Sequence, residues 1–168
     1  KETLKIKIGN PIESDTDLGP LINSVAADLV KSRIDDAISG GATLLAGNIR
    51  DGNIIYPTIL ENVSEEMEVV REETFGPVVP LFKFSNIDDV IKKINDSPYA
   101  LQSGIFTNDL SVIKKLHDKL EVGSVNVNAG PGFRADHMPF GGVKDSGIGR
   151  EGLRYAIREM SYQKNLIL

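Results

Sequence analysis

The sequence contains no cysteine, and only two of its 168 residues are histidine. Without cysteine, this chain has no disulfide, no thiolate metal ligand and no thiol nucleophile. The histidines, His117 and His137, lie far apart in the sequence, so we expect no histidine-rich zinc site and no other metal site. No apolar run approaches the ~20 residues of a membrane-spanning helix, and no signal peptide opens the chain. We therefore expect a cytoplasmic protein without a membrane partner.

Basic residues are too few for a nucleic-acid-binding surface. Lys and Arg number 19 against 24 Asp and Glu, the formal net charge is −5 and the isoelectric point is about 5.1. A basic face is typical of nucleic-acid-binding proteins, so we expect no such partner. The 40% of hydrophobic residues predicts a folded chain, and the length predicts about one domain. The chain begins with Lys1 and not with Met, which is typical of a processed chain or a piece of a longer one.

Helical and extended sequence patterns alternate along the chain. Apolar residues recur at helical spacing in 25–38, which ends at Gly40-Gly41; in 87–94, preceded by Ser85 in capping-box style; in 110–120, preceded by Asn108 or Asp109 and followed by Gly123; and in 153–160. The alternating or short apolar runs of strands occur in 3–8, 42–46, 54–60, 78–84, 102–106 and 124–128. Strands that alternate with helices predict an α/β fold with crossover connections.

Other local signals refine this prediction. Pro57 interrupts the run 54–60, so we expect that strand at an edge or with a bulge. An acidic segment near 65–70 predicts one short turn of helix, and the tail 162–168 predicts a final strand. Positions 129–150 form a long loop rich in Gly and Pro, and loops of that size are often functional.

The residues 147–152 match the Gly-x-Gly-x-x-Gly pattern of dinucleotide-binding loops. That mechanism needs a strand directly before the glycines, a βαβ unit after them and an acidic residue ~20 positions further on. Here a loop precedes the glycines and the sequence ends at Leu168. We therefore interpret the motif as a junction between a loop and a helix and reject a Rossmann site.

Two charged motifs are candidate binding sites. The segment 71–77, Arg-Glu-Glu-Thr-Phe-Gly-Pro, offers carboxylates that suit sugar hydroxyls and an aromatic ring that suits a flat heterocycle. An ordinary solvated surface is the competing interpretation. Arg134 lies in the long loop with Asp136 and His137, and arginine suits a carboxylate or phosphate. A surface Arg–Asp pair with an incidental histidine is the alternative. From the residues alone, the chemistry stays undetermined.

Longer strings of residues are more specific than these single motifs. They are Glu72-Glu73-Thr74-Phe75-Gly76-Pro77 and Pro139-Phe140-Gly141-Gly142-Val143-Lys144-Asp145-Ser146-Gly147, with shorter strings such as Gly9-Asn10-Pro11, Leu18-Gly19-Pro20-Leu21, Tyr56-Pro57-Thr58, Tyr99-Ala100-Leu101, Phe106-Thr107-Asn108-Asp109 and Val125-Asn126. In this order and separation they resemble the C-terminal part of an NAD(P)-dependent aldehyde dehydrogenase, nearly from end to end of the chain.

The resemblance implies a part of the α/β catalytic domain of that family. Residues 1–160 correspond to the C-terminal portion of the domain, and 161–168 to the oligomerisation strand that pairs across subunits. In the family a cysteine thiolate attacks the aldehyde, hydride passes to the nicotinamide, and a glutamate-activated water releases the acid. The nucleophile, general base, oxyanion-hole asparagine and dinucleotide domain lie before the segment that this chain resembles. We therefore expect no catalytic residue here and no activity from the chain alone.

The same resemblance assigns roles to individual residues. Glu73 matches the glutamate that holds the nicotinamide-ribose hydroxyls, and Phe75 matches the aromatic residue beside that ring, so the expected cofactor is NAD or NADP. Phe140 matches an aromatic residue that lines the aldehyde funnel. Arg134 stands where several members have a second aromatic residue of the funnel. This departure resembles the branch that acts on small hydroxylated or phosphorylated aldehydes, such as lactaldehyde, glyceraldehyde or glyceraldehyde-3-phosphate. We expect Arg134 to contact the polar end of such a substrate, and His137 to contact it or to orient the loop.

Alternative interpretations remain open. One is a truncated, non-catalytic relative that acts as a structural or oligomerisation module, and another is a fragment of a succinate-semialdehyde-type dehydrogenase. A self-contained binding domain is disfavoured, because the family binds its nucleotide through an earlier segment. A piece of a larger core exposes apolar surface. We therefore expect the partner to be the missing N-terminal half or another copy of the chain.

Overall fold

The computed structural model describes residues 1–168, which form an N-terminal unit, 1–83, and a C-terminal unit, 84–168. The N-terminal unit begins with a 3₁₀ turn, Glu2–Lys5, and continues with α1 (Ser24–Ser39), β1 (Thr43–Ala46), β2 (Arg50–Asp51), β3 (Ile54–Ile55), β4 (Thr58–Glu61), α2 (Glu68–Arg71) and β5 (Val78–Leu81). The C-terminal unit contains α3 (Ile87–Asp96), β6 (Tyr99–Ala100), β7 (Gln102–Ile105), α4 (Leu110–Lys119), β8 (Ser124–Val127), β9 (Val143–Lys144) and α5 (Leu153–Glu159). Neither unit contains a helix with the length and apolar character needed to cross a membrane.

The N-terminal unit is a small sheet packed against one long helix. Strand β4 lies in the middle, antiparallel to β1 and parallel to β5, while β2 and β3 form a separate antiparallel pair. The side chain of Asn23 accepts a hydrogen bond from the Ala26 amide and caps α1. The helix is amphipathic and buries one apolar face. That face packs on the sheet to form the core, which contains Ala27, Val30, Ile34, Ala37, Ala42, Ile55, Leu60, Val63 and Val69.

The C-terminal unit is built on two parallel strands joined by a helix. Strands β7 and β8 pair from Gln102 opposite Ser124 to Ile105 opposite Val127, and α4 connects them. The buried side chains Ile91, Leu116 and Leu120 form the core of this unit. Strands β6 and β9 form a short antiparallel pair.

The predicted α/β fold is confirmed, because β4–α2–β5 and β7–α4–β8 are both parallel strands joined through a helix. The predicted starts of α1, α3, α4 and α5 are confirmed to within one residue, whereas the short helix α2 begins at Glu68, three residues later than predicted. The side chain of Asp109 accepts from the Ser111 amide at 2.8 Å, so Asp109, of the two candidates, caps α4. The cap of α3 is Asn86, whose side chain accepts from the Asp88 amide at 3.0 Å, and not Ser85.

Several local predictions were wrong. The run 3–8 is not a strand, because its backbone pairs with a turn: the Lys7 amide donates to the Asp17 carboxylate and the Lys7 carbonyl accepts from Leu18. The run 78–84 is strand only as far as Leu81. The run 54–60 is not one strand, because Pro57 divides it into β3 and β4. Strand β4 lies in the middle of its sheet and not at an edge, and the bulge lies in its partner β1.

Long-range pairing explains two further differences. The loop 129–150 contains the two-residue strand β9, which pairs with β6. Helix α4 ends at Lys119, so Gly123 does not terminate it as predicted. Gly123 instead packs against the backbone of Gly141, whose carbonyl oxygen would lie 1.8 Å from a Cβ on Gly123.

The tail 161–168 has no regular secondary structure, and its side chains are exposed. A strand there has no partner within the single chain, so pairing of the tail across subunits stays a prediction. The expected exposed apolar surface is present. On β5 of the N-terminal unit, alternate residues Val79 and Leu81 are 51% and 41% exposed.

Candidate functional site

The first candidate segment, residues 72–77 of the N-terminal unit, connects α2 to β5 and is fixed at both ends. The Glu72 amide donates to the Glu68 carbonyl at 2.9 Å, and the Pro77 carbonyl accepts from the Thr58 amide at 2.8 Å. Gly76 packs directly on α1, since a Cβ at this position would lie 2.7 Å from a methyl carbon of Val30. The helix therefore supports the segment at its base.

Within this segment, the side chains of Glu73 and Phe75 are presented to solvent. The Glu73 carboxylate makes no hydrogen bond or ion pair within the chain, while its backbone carbonyl accepts from Arg33 Nη1 at 2.8 Å. Phe75 is 80% exposed and has φ of 45°, a left-handed conformation that costs free energy for a residue with a side chain. An open carboxylate accepts hydroxyl hydrogen bonds, and an open ring stacks on a flat heterocycle. Both side chains are therefore open to a ligand.

The second candidate segment, 129–150 of the C-terminal unit, begins at a buried amide. Asn126 on β8 is 8% exposed, and its Nδ2 donates to the Gly130 carbonyl at 3.1 Å. The Asn128 side chain accepts from the Thr107 amide at 2.9 Å. These bonds fix where the loop leaves the sheet.

The loop brings Arg134, Phe140 and Glu151 together. The Arg134 guanidinium carbon lies 4.3 Å from the centre of the Phe140 ring, a cation–π geometry, and Arg134 Nη2 donates to Glu151 Oε2 at 3.1 Å. Phe140 and Glu151 are joined by two backbone hydrogen bonds, of 3.1 and 2.6 Å. The Arg134 side chain is still 43% exposed. It therefore keeps donors that can reach an anion in solution.

The alternative of a surface pair between Arg134 and Asp136 is not found, because Arg134 bonds to Glu151. Asp136 and His137 are both exposed, and their side chains make no hydrogen bond within the chain. The expected contact of His137 with substrate stays a prediction.

Arg150 anchors the loop, although in the sequence it stands out only as one more positive charge. Its Nη1 donates to the carbonyls of Gly142 and Gly149 at 2.9 and 2.7 Å, and its amide donates to the Glu159 carboxylate at 2.8 Å. Gly142 must be glycine, because a Cβ there would lie 2.5 Å from the Cβ of Ser146. The arginine and the glycine together hold the Pro-Phe-Gly-Gly string in one conformation.

The perturbed titrating groups lie outside both segments. A hydrogen bond from Lys31 lowers the pKa of Asp35, and hydrogen bonds from Ser111 lower the pKa of Asp109. On α4, Lys114 lowers the pKa of Asp118, and Asp118 raises the pKa of Lys114. These groups stabilise helices. No group of three or more His, Cys, Asp or Glu side chains has the arrangement of a metal site.

Comparison with known proteins identifies the family. The model of the aldehyde dehydrogenase family matches residues 1–166. The chain belongs to this family. Among aldehyde dehydrogenases it is 51% identical over its whole length to sulfoacetaldehyde dehydrogenase of Neptuniibacter caesariensis, of which it covers 37%. It is 45% identical over its whole length to 3-sulfolactaldehyde dehydrogenase of Priestia aryabhattai, covering 35%. It is 41% identical to lactaldehyde dehydrogenase of Methanococcus maripaludis, with 99% of this chain and 36% of that protein covered.

Solved aldehyde dehydrogenases share the fold. Aldehyde dehydrogenase 21 of Physcomitrella patens, in complex with its reaction product succinate, has a TM-score of 0.91 and 45% identity, covering 95% of this chain and 33% of that one. Glyceraldehyde-3-phosphate dehydrogenase GapN of Methanocaldococcus jannaschii, complexed with NADP, has a TM-score of 0.90 and 43% identity, covering 96% and 35%. The chain thus spans about a third of the length of the relatives it matches.

Proposed function

We propose that this chain is part of an NAD(P)-dependent aldehyde dehydrogenase that oxidises a small aldehyde, with a hydroxylated or anionic end, to the acid. The observation that carries the proposal is Arg134, a half-exposed guanidinium stacked on Phe140 within the loop that holds the Pro-Phe-Gly-Gly string. A rigid guanidinium with open donors recognises carboxylate, phosphate or sulfonate oxygens in preference to an uncharged group.

The cofactor contacts in this proposal are Glu73 and Phe75. The Glu73 carboxylate accepts hydrogen bonds from the nicotinamide-ribose hydroxyls, and the Phe75 ring packs beside the base. Bound NAD(P) supplies the hydride acceptor. The open carboxylate and the 80% exposed ring support these roles, since neither side chain has a competing partner in its own unit.

The relatives support an anionic end on the substrate. Sulfoacetaldehyde and 3-sulfolactaldehyde carry a sulfonate, glyceraldehyde-3-phosphate carries a phosphate, and succinate carries a second carboxylate. Lactaldehyde has only a hydroxyl, which also accepts a hydrogen bond from arginine. Arg134 and Phe140 serve this whole class: the guanidinium binds the polar end and the ring lines the passage. We place His137 beside them as a substrate or loop-orienting residue.

Catalysis in this proposal needs groups supplied by another segment. The chain has no cysteine, so it does not contain the nucleophile that attacks the aldehyde. We propose that 1–160 completes a catalytic domain with the missing N-terminal part. We further propose that the tail 161–168, whose backbone forms no strand pairing in the single chain, adds to a sheet edge of another copy.

The test uses the full-length gene product and aldehyde pairs that differ in charge: glyceraldehyde-3-phosphate against glyceraldehyde, and sulfoacetaldehyde against propionaldehyde. R134M is expected to lower kcat/KM for the charged member about 10- to 100-fold, or about 1.4–2.7 kcal/mol, because it removes a charge-assisted hydrogen bond. The uncharged member should change less than about threefold. R154M removes another exposed arginine of the same unit and serves as the control. Equal losses for both members of each pair would refute the role of Arg134.

A further inference from the structure

We propose that Arg33 is a positioning residue for the cofactor: it fixes the backbone of Glu73, so that the Glu73 carboxylate and the Phe75 ring are held ready before NAD(P) binds. The inference rests on the proposed function, because it takes Glu73 and Phe75 as the cofactor contacts. Its own observation is the 2.8 Å hydrogen bond from Arg33 Nη1 to the Glu73 carbonyl.

Arg33 reaches this carbonyl from α1, the helix beneath the segment. Its side chain is only 11% exposed. Arg33 follows Val30 by three residues, so the two share a helix face, and Val30 is the residue on which Gly76 packs. One face of α1 therefore supports the segment 72–77 at two points, through an arginine near its start and a valine near its end.

The environment of Arg33 does not explain its burial as an ordinary ion pair. The nearest carboxylate is Glu68, 3.7 Å from Arg33 Nε, and Nε itself is buried without a hydrogen-bond acceptor. Burying a cation with an incomplete set of partners costs free energy and is a poor source of stability. The one short hydrogen bond of the guanidinium goes to the Glu73 carbonyl. We therefore assign Arg33 the role of holding the backbone conformation at Glu73.

The segment has no other means of staying in place between its ends. No other hydrogen bond joins 73–75 to the rest of the unit; the Thr74 hydroxyl bonds only locally, to the Glu72 carbonyl at 3.4 Å. Phe75 meanwhile holds a left-handed φ of 45° with its ring 80% exposed. Strained backbone persists only where the surroundings determine it. In this proposal, the hydrogen bond from Arg33 to the Glu73 carbonyl helps to hold the backbone in this conformation.

Loss of Arg33 is expected to weaken the binding of the cofactor, because binding must then order residues 73–75. If residues 73–75 are free to move, NAD(P) must immobilise them on binding, and that conformational entropy is subtracted from its affinity. The effect appears in binding and local flexibility, and it leaves the chemical step unchanged for the enzyme that has bound cofactor. Arg33 thus acts through Glu73 without touching the cofactor itself.

The experiment measures NAD(P) affinity by calorimetry and amide hydrogen exchange in 73–76, both on the full-length protein. R33M keeps the aliphatic stem and removes all donors; it is expected to weaken binding about 5- to 20-fold and to speed exchange in 73–76 only. R33K keeps the charge and a single donor group and should fall between R33M and wild type. R50M is the matched control, because Arg50 bonds to Asp28 of the same helix and contacts nothing in 72–77.

The variant E73A distinguishes a failure of the proposed cofactor role of Glu73 from a failure of the positioning role of Arg33. If E73A leaves NAD(P) affinity unchanged, the proposed cofactor role of Glu73 fails. If E73A weakens binding while R33M matches wild type in both affinity and exchange, only the role of Arg33 is overturned. If R33M does not fold, R33K decides: wild-type affinity and wild-type exchange overturn the proposal, and a partial loss in both supports it.

Discussion

The packing of Gly76 on Val30 makes a quantitative prediction about the segment that carries Glu73 and Phe75. A Cβ at position 76 would lie 2.7 and 2.9 Å from the two methyl carbons of Val30, while φ at Gly76 lies outside the left-handed region. An alanine there meets a steric obstacle without backbone strain. The overpacking costs about 1–3 kcal/mol. The reduced entropy of the unfolded chain returns about 0.4–1 kcal/mol. We therefore expect G76A to lower the free energy of unfolding by about 0.5–2 kcal/mol.

The same packing predicts that G76A no longer lowers the free energy of unfolding when Val30 is first shortened. In V30A the two methyl carbons are gone, and the nearest remaining atom is the Val30 Cβ position at 3.4 Å, an ordinary contact. V30A alone should cost about 2 kcal/mol, because Val30 is 1% exposed and loses about two methylene equivalents. On that background, G76A should be neutral or stabilising by up to about 1 kcal/mol.

A double-mutant cycle on the full-length protein checks this, with urea unfolding followed by circular dichroism. The cycle should give a coupling free energy of about 0.5–3 kcal/mol between the two sites. If the costs of G76A and V30A simply add, the close contact between α1 and the segment 72–77 is not a determinant of stability, and the reasoning is refuted.

Two further predictions concern pH and assembly. Asp109 has a lowered pKa because Ser111 donates to its carboxylate, so its stabilisation of α4 is fully present above the ordinary aspartate pKa of 3.8 and is lost as the pH falls through the lower folded-state value. D109N should remove this acid dependence from the unfolding free energy, and an unchanged pH profile would show that the cap does not titrate. The chain produced alone should self-associate through exposed residues such as Val79, Leu166 and Ile167, and deletion of 161–168 should reduce the oligomer in sedimentation. A monomer at all concentrations would contradict this.

Local sequence signals predicted much of the fold. The apolar stripe of α1 and the cap of α4 depend on neighbours along the chain, and both were found within a residue or two. The run 3–8 shows the limit of such signals, since alternation predicts a strand only when a partner edge exists, and here the backbone of Lys7 pairs with a turn.

The sequence predicts candidate site residues only where they belong to a motif. Glu73, Phe75 and Phe140 were proposed as site residues through the motifs that contain them. Arg33 and Arg150 were not, because their partners are carbonyls brought near by folding, and a carbonyl has no signature in the sequence. For the same reason the sequence offered Asp136 as an alternative partner of Arg134, whereas the folded loop brings Arg134 to Glu151.

The most direct test of the account is a crystal structure of the full-length protein with NAD(P) and the acid product of a small anionic aldehyde. The account predicts the Glu73 carboxylate within about 3 Å of the nicotinamide-ribose hydroxyls and an Arg134 nitrogen within about 3 Å of the anionic end of the product. A ribose held by other residues, with Arg134 still bonded only to Glu151, would contradict it.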